Sequence, residues 1–296
     1  MNKGEGRIIS RFGAEALIEL PSGEIVRATS RRKLQDLVCG DYVRWQQNGS
    51  DIVITKMLPR RNSLTRSYFR GTPRTIAANI DQIIIASAVE PSPDWSMVDQ
   101  LFVMAAIMEI AAILLHHKAD QPCPDEIARI YQDYRDIGYT VLDTSTRQPE
   151  SLEPLRKHLK KKTNVLVGQS GVGKSSLTNI LIPKADILTQ TLSETTGFGQ
   201  HTTSNARLYH LPEGGELIDS PGIRDFTPPP IPPADVQKGF REIVALRVHC
   251  RFHNCLHVRE PGCAVKDAVD KGEILRRRYQ AYLNLLQQME EVDKQL

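Results

Sequence analysis

Three things are scarce in this chain of 296 residues, and each scarcity narrows what it can be. No run of eighteen apolar residues occurs. The richest stretch, Leu101 to Leu115, is broken by Glu109, which excludes a membrane-spanning helix and predicts a core helix running into a buried strand. Net charge is only +3, from 38 Lys and Arg against 35 Asp and Glu, so the chain as a whole is no electrostatic magnet for nucleic acid. Cysteines number five, and nothing at the N-terminus resembles a secretion signal, so reduced thiols in the cytoplasm are expected rather than a disulfide framework. Cys39 and Cys123 stand apart and read as ordinary buried thiols.

What the chain does contain is a phosphate-binding loop. Gly168, Gly173, Lys174 and Ser175 match G-x-x-x-x-G-K-[ST], with an apolar run before them and SSLTNILI after, the strand and helix that the motif requires. Gly171 and Gly173 let the backbone approach phosphate oxygens, and the N–H groups of Gln169, Ser170, Val172 and Ser176 belong to the same cradle at a helix N-terminus. Lys174 reaches the β- and γ-phosphates, and the Ser175 hydroxyl ligates magnesium.

Downstream, ELIDSPG places Asp219 after a short apolar strand and Gly222 three residues later. This D-x-x-G pattern holds the metal through water with its carboxylate and turns its glycine amide toward the γ-phosphate. In the glycine-containing segment between the two motifs, Thr202 or Thr203 is expected to complete the magnesium shell. The glutamine that usually follows D-x-x-G is missing, because position 223 is Ile, which cannot orient water. His201 can take that role, or can be a solvated loop residue; spacing does not choose.

A second motif residue is missing upstream. The base-recognition pattern N-K-x-D reads His117-Lys118-Ala119-Asp120, without its asparagine. Asp120 still accepts two hydrogen bonds, from guanine N1–H and the exocyclic amine, and the Lys118 stem lies along the base plane. Adenine lacks that donor pair. The asparagine normally ties loops together, so its loss bears on affinity. GYTVLDTST reads as a strand ending at Thr144-Ser145-Thr146, whose main chain backs the base. Base recognition therefore precedes the phosphate loop, the reverse of ordinary small GTPases, and points to circular permutation.

The third signal is metal-binding. Cys250, Cys255, His257 and Cys263 supply three thiolates and an imidazole, a closed tetrahedral shell suited to structural zinc, with His249 and His253 as spare candidates.

Along the chain, RIISRF, EALIEL, EIVRAT, DYVRWQ and DIVITKM are short alternating segments separated by turn residues, which suggests a small β-barrel of OB-fold type, able to bind oligonucleotides. Arg60 to Arg74 reads as a basic, turn-rich connector. An α/β unit begins near Ile80, and five prolines between Pro228 and Pro233 mark an extended linker. An amphipathic helix over 273–292 follows, with Leu275, Tyr279, Tyr282, Leu283, Leu286 and Met289 as packing positions. The expected units are a barrel (1–66), a circularly permuted α/β P-loop GTPase domain (67–227) and an α-helical zinc-binding domain (228–296). Grouped basic residues, Arg31 to Lys33, Arg60, Arg61, Arg66, Arg70, Arg74, Lys160 to Lys162 and Arg276 to Arg278, are candidates for RNA phosphates.

In combination these features resemble the bacterial ribosome small subunit-dependent GTPase A family, over nearly the whole length. The resemblance implies an assembly factor that binds the small (30S) ribosomal subunit and its rRNA late in maturation, hydrolyses GTP to GDP in response, and leaves. It implies Thr203 as the switch threonine on magnesium, His201 as the water-orienting residue, and Cys250, Cys255, His257 and Cys263 as the zinc ligands. A cytoplasmic monomer with no membrane partner is expected. Two other readings stay open: an ATP-dependent phosphotransferase using the same loop, and an RNA-binding module whose nucleotide site is only regulatory.

Overall fold

The five N-terminal segments form β1 (Lys3–Phe12), β2 (Glu15–Glu19), β3 (Ile25–Ser30), β4 (Tyr42–Asn48) and β5 (Asp51–Met57) in the computed structural model, which describes residues 2–30, 34, 36–68, 71–182, 206–220 and 226–293. β1 pairs antiparallel with both β2 and β4, β2 with β3, and β4 with β5, while β3 runs parallel to β5. The meander thus closes on itself as the OB-fold barrel, which leaves no free strand edge. Alternation along the strands turns Ile8, Ile18, Val43 and Ile54 into an interior that excludes water completely.

The stretch read as a connector is instead a hairpin of β6 (Ser63–Tyr68) and β7 (Gly71–Ala78). Leu64 and Ala77, paired across it, are fully buried, and that anchor organises the arginine-rich sequence as sheet. Residue 66, where composition placed the first boundary, lies within β6. Of the basic residues here, Arg60 is held inward on the buried Asp41 carboxylate at 2.7 Å.

The α/β unit follows as β8 (Gln82–Ala88), α1 (Trp95–Ile107), β9 (Ala111–His117), α2 (Asp125–Asp136), β10 (Thr140–Thr144), α3 (Glu153–Leu159), β11 (Thr163–Gly168), α4 (Lys174–Leu181), β12 (Arg207–His210) and β13 (Glu216–Asp219). Its strands lie in the order β10-β9-β8-β11-β13-β12, all parallel except β12. β8 and β11 are buried along their whole length, which is why they read as continuous apolar runs. β8 separates β9 from β11, so the loops after β9 and β11 emerge together at the carboxyl edge, where doubly wound sheets bind ligands. β12 meets β1 at Arg207 and Ser10, so one sheet runs from the barrel into the α/β unit. Arg7 of β1 reinforces that junction, bonding Glu216 at 2.5 Å and Thr163 Oγ1 at 3.0 Å.

Beyond the prolines come α5 (Pro233–Val236), α6 (Arg241–Leu246), α7 (Ala264–Asp270) and α8 (Arg276–Asp293). Tyr282, Leu286 and Met289 are buried as their spacing required, but Leu275 is 40% exposed because the helix begins one residue after it. The basic group at 276–278 divides for a related reason. One helical step turns Arg278 fully inward, onto Asp99 of α1 and Glu242 of α6, so it is unavailable to RNA. Cys39 is buried as expected, whereas Cys123 is only half-buried, in the loop before α2. No helix among the described residues is long and apolar enough to cross a membrane.

Candidate nucleotide site and metal centre

Local chemistry at the carboxyl edge begins with the glycines. Gly168 has φ +150°, and a Cβ there would meet the Ala86 carbonyl oxygen at 2.1 Å, so only glycine lets β11 leave the sheet beside β8. Gly173, at φ +100°, opens α4 against the His117 ring, where a Cβ would stand 2.9 Å from Cδ2 and 3.0 Å from Nε2. Between them Val172 is fully buried and anchors the loop, while Ser170, Gly171, Ser175 and Ser176 are exposed and Gln169 is half-buried. Lys174 Nζ folds over the loop onto the carbonyl oxygens of Gly168 and Gln169, at 2.5 and 2.6 Å. Gln169 ties the loop to the segment before α1, accepting from Asp94 N at 2.9 Å and donating to Ser92 O at 3.2 Å.

The base-recognition loop meets this cradle directly. Lys118 has a left-handed backbone, φ +59°, and its ammonium donates to Gly171 O at 2.9 Å and Glu90 O at 2.8 Å. One lysine therefore spans from the loop after β9 to the phosphate loop, and its stem is stretched along the space between them. Asp120 accepts from Ser145 Oγ at 2.5 Å and stands 3.5 Å from Arg147. The Ser145 hydroxyl holds its carboxyl below the ordinary carboxylate range, so it is an ionised acceptor at neutral pH. The Ser145 N–H donates to Ser151 Oγ at 2.8 Å, and Thr146 lies beside it, half-buried.

His117 stands where the motif has its asparagine. Its ring is buried against Gly173, with Nδ1 3.0 Å from Thr144 Oγ1 at the end of β10. The imidazole therefore sits where the ends of β9 and β10 meet the start of α4. Burial, with the Lys118 charge adding, lowers its pKa, so the ring stays neutral. Sequence placed Thr144 in the loop that backs the base but not as the partner of His117; its place in register with His117 across the β9–β10 ladder is the signal that would have found that pairing.

Asp219 ends β13 opposite Leu166 of β11 and accepts from Thr178 Oγ1 of α4 at 3.3 Å. Burial raises its pKa, with the Thr178 bond and the Lys174 charge acting the other way. Thr178, one turn beyond Ser175 on α4, is a further residue that motif spacing did not reveal. His201, Thr202, Thr203 and Gly222 lie outside the described residues.

In the C-terminal region, the ligand atoms of Cys250, Cys255, His257 and Cys263 all fall within 4.8 Å of one another. Cys250 Sγ is 4.0 Å from Cys263 Sγ, and His257 Nδ1 lies 3.5 and 3.4 Å from those two sulfurs. Those separations approach the edge of a tetrahedron with metal–sulfur bonds of about 2.3 Å, so three thiols and an imidazole here can hold a zinc ion with no ligand position left open. Burial pushes the Cys255 thiol up to about 12. Phenolic hydroxyls of α8 fix the loop, Tyr279 on His257 O at 2.5 Å and Tyr282 on Leu256 O at 2.8 Å. His249 and His253 are not in the cluster.

Comparison with known proteins agrees with this geometry. Residues 57–228 match the model of the RsgA GTPase. A protein of Actinobacillus pleuropneumoniae (serotype 5b, strain L20) named small ribosomal subunit biogenesis GTPase RsgA is 40% identical over 299 residues, covering 98% of this chain and 87% of that one. A protein of the same name from Pseudomonas aeruginosa (strain LESB58) is 41% identical over 292 residues, covering 97% and 86%. Among solved structures, YjeQ from Thermotoga maritima superposes with a TM-score of 0.76 at 27% identity, covering 97% of this chain and 99% of that one. YloQ, described as a circularly permuted GTPase, gives 0.73 at 28%, covering 98% and 96%. With the base-recognition loop ahead of the phosphate loop in sequence and against it in space, the chain belongs to the RsgA GTPase family.

Proposed function

We propose that this protein is a GTP hydrolase that binds the small ribosomal subunit, acts late in its maturation, and turns over GTP to GDP and phosphate faster when bound to it. The observation that carries the nucleotide part is the Lys118 bridge to Gly171, which joins the loop that bears Asp120 to the phosphate loop that bears Lys174. The subunit is inferred from the names of the relatives.

In this reading Asp120 accepts from guanine N1–H and the exocyclic amine, Thr146 backs the base, and the backbone N–H groups from Gln169 to Ser176 bind the phosphates. Lys174 leaves its carbonyl partners for the β- and γ-oxygens, where its charge offsets what develops during transfer. Ser175 and Thr203 would ligate magnesium, with Asp219 holding its water, and the ion supplies further charge neutralisation when bound. His201 orients the attacking water, and Gly222 presents its amide to the γ-phosphate. Cys250, Cys255, His257 and Cys263 hold one structural zinc. The barrel and the metal-bearing region contact rRNA on either side of the nucleotide, and the protein works in the cytoplasm as a monomer.

GTP and ATP hydrolysis, measured with and without purified small subunits at low and high salt, test this. GTP turnover should exceed ATP turnover, and subunits should raise it less as salt rises. Equal rates with and without subunits would contradict the reading. A preference for ATP would favour the phosphotransferase instead.

A further inference from the structure

Gln237 begins the 3-10 turn (Gln237–Gly239) that joins α5 to α6, outside the loop that carries the metal ligands. Its side chain is 5% exposed and makes two bonds of opposite polarity. The amide nitrogen donates to Ala234 O at 3.0 Å, and the amide oxygen lies 3.1 Å from His257 Nε2. A carbonyl accepts only, so the backbone bond fixes which end of the amide is which. The oxygen therefore faces the ring, and Nε2 must carry the proton. Nδ1 is left with its lone pair, directed at the sulfurs of Cys250 and Cys263.

We propose that Gln237 is the positioning residue of the metal centre: by accepting from His257 Nε2–H it sets the tautomer and orientation in which Nδ1 is offered to the cation. The inference rests on reading the four-residue cluster as a zinc site. The Gln237 turn is itself held rigidly. Gly239 packs so closely on α1 that a Cβ would stand 2.4 Å from the Val103 Cα, and the Tyr139 hydroxyl donates to the Gly239 carbonyl. The metal is thereby coupled to the face of α1, the helix whose N-cap Asp94 bonds the phosphate-loop residue Gln169.

Zinc loss to an excess of chromophoric chelator separates this role from simple packing. Gln237→Met keeps the volume and removes the acceptor, so zinc should leave faster, by up to the about 10–100-fold that losing an outer-sphere partner takes from metal affinity. Gln237→Glu keeps an acceptor and should stay much nearer the native rate. Native-like zinc loss from Gln237→Met would overturn the proposal, as would equally fast loss from both variants. Should Gln237→Met not fold, two-bond 15N–1H correlation on the native zinc-loaded protein decides: Nε2 protonated and Nδ1 metal-bound supports the assignment, and the reverse overturns it. Native protein that purifies without zinc would instead sink the metal reading, and this inference with it.

Discussion

Two flanks of the molecule, the carboxyl edge of the sheet and the seam with the C-terminal helices, handle their polar groups in opposite ways. At the carboxyl edge, Lys118 and Lys174 rest on backbone carbonyls, Ser175 stands exposed, and Asp120 is held by one serine hydroxyl. At the seam with the C-terminal helices, Arg278 is completely buried with Asp99 and Glu242. The Phe240, Tyr134 and Tyr139 rings pack over its guanidinium, and the Tyr134 hydroxyl donates to Asp99 at 2.6 Å. A ligand can join or replace the bonds of the first set with little rearrangement. In the second set, removing one member strands the other charges in a dry interior. One flank is arranged for exchange, the other for permanence.

The largest difference should appear on deleting a charge from the seam. Arg278→Ala is expected to cost about 3–5 kcal/mol of stability by chemical denaturation, and Arg278→Met nearly as much, because restoring volume still leaves Asp99 and Glu242 without their partner. Arg276→Ala, two positions earlier and 78% exposed, should change stability by under about 0.5 kcal/mol. Comparable losses from Arg276→Ala and Arg278→Ala would erase the contrast.

Next comes the exchange flank. Lys118→Ala should weaken guanine nucleotide binding by about 1.5–3 kcal/mol, the worth of charge-assisted bonds, with almost no change in the denaturation midpoint of the free protein. Isothermal titration with GDP, beside a melt of each variant, checks both halves. A fall in stability as large as that of Arg278→Ala would show the bridge to be structural instead.

Metal removal is expected to act locally. A strong chelator should speed hydrogen exchange across residues 250–263 and the adjoining α8, whose tyrosines hold that loop, and leave the barrel strands unchanged.

The smallest effect is on pH. Burial depresses the His117 pKa, so the unfolded chain takes up its proton first and the fold loses stability as pH drops through the ordinary histidine range near about 6.5. His117→Asn should flatten that part of the stability-versus-pH curve relative to the native protein. An unchanged slope would mean that the ring is accessible enough to protonate in place.

Much of this was legible in sequence where local pattern and burial agree. The barrel strands are short segments set off by turn residues, β8 and β11 are unbroken apolar runs, and the phosphate loop carries its own strand and helix. Misreadings arose where one residue's direction decides. The arginine-rich hairpin looked like a connector because its anchors, Leu64 and Ala77, are single residues among charges. Arg278 looked like its neighbours until helical rotation set it inward, and Leu275 fell one residue short of the helix. His117 looked like a loss because motif spacing says nothing of the Thr144 partner supplied by the next strand. Gln237 carries no motif at all; only the pairing of its amide with a distant imidazole gives it meaning.

The central claim is that Asp120, ahead of the phosphate loop in the chain, reads the base that the loop's phosphates bring to it. The most direct test is competitive binding of GDP, ADP and xanthosine diphosphate to the native protein and to Asp120→Asn. Xanthine carries a carbonyl where guanine carries its amine, so the native protein should prefer GDP, and the variant should lose GDP while gaining the xanthine nucleotide. An Asp120→Asn protein that binds GDP as the native protein does, with no gain for xanthine, would contradict the account.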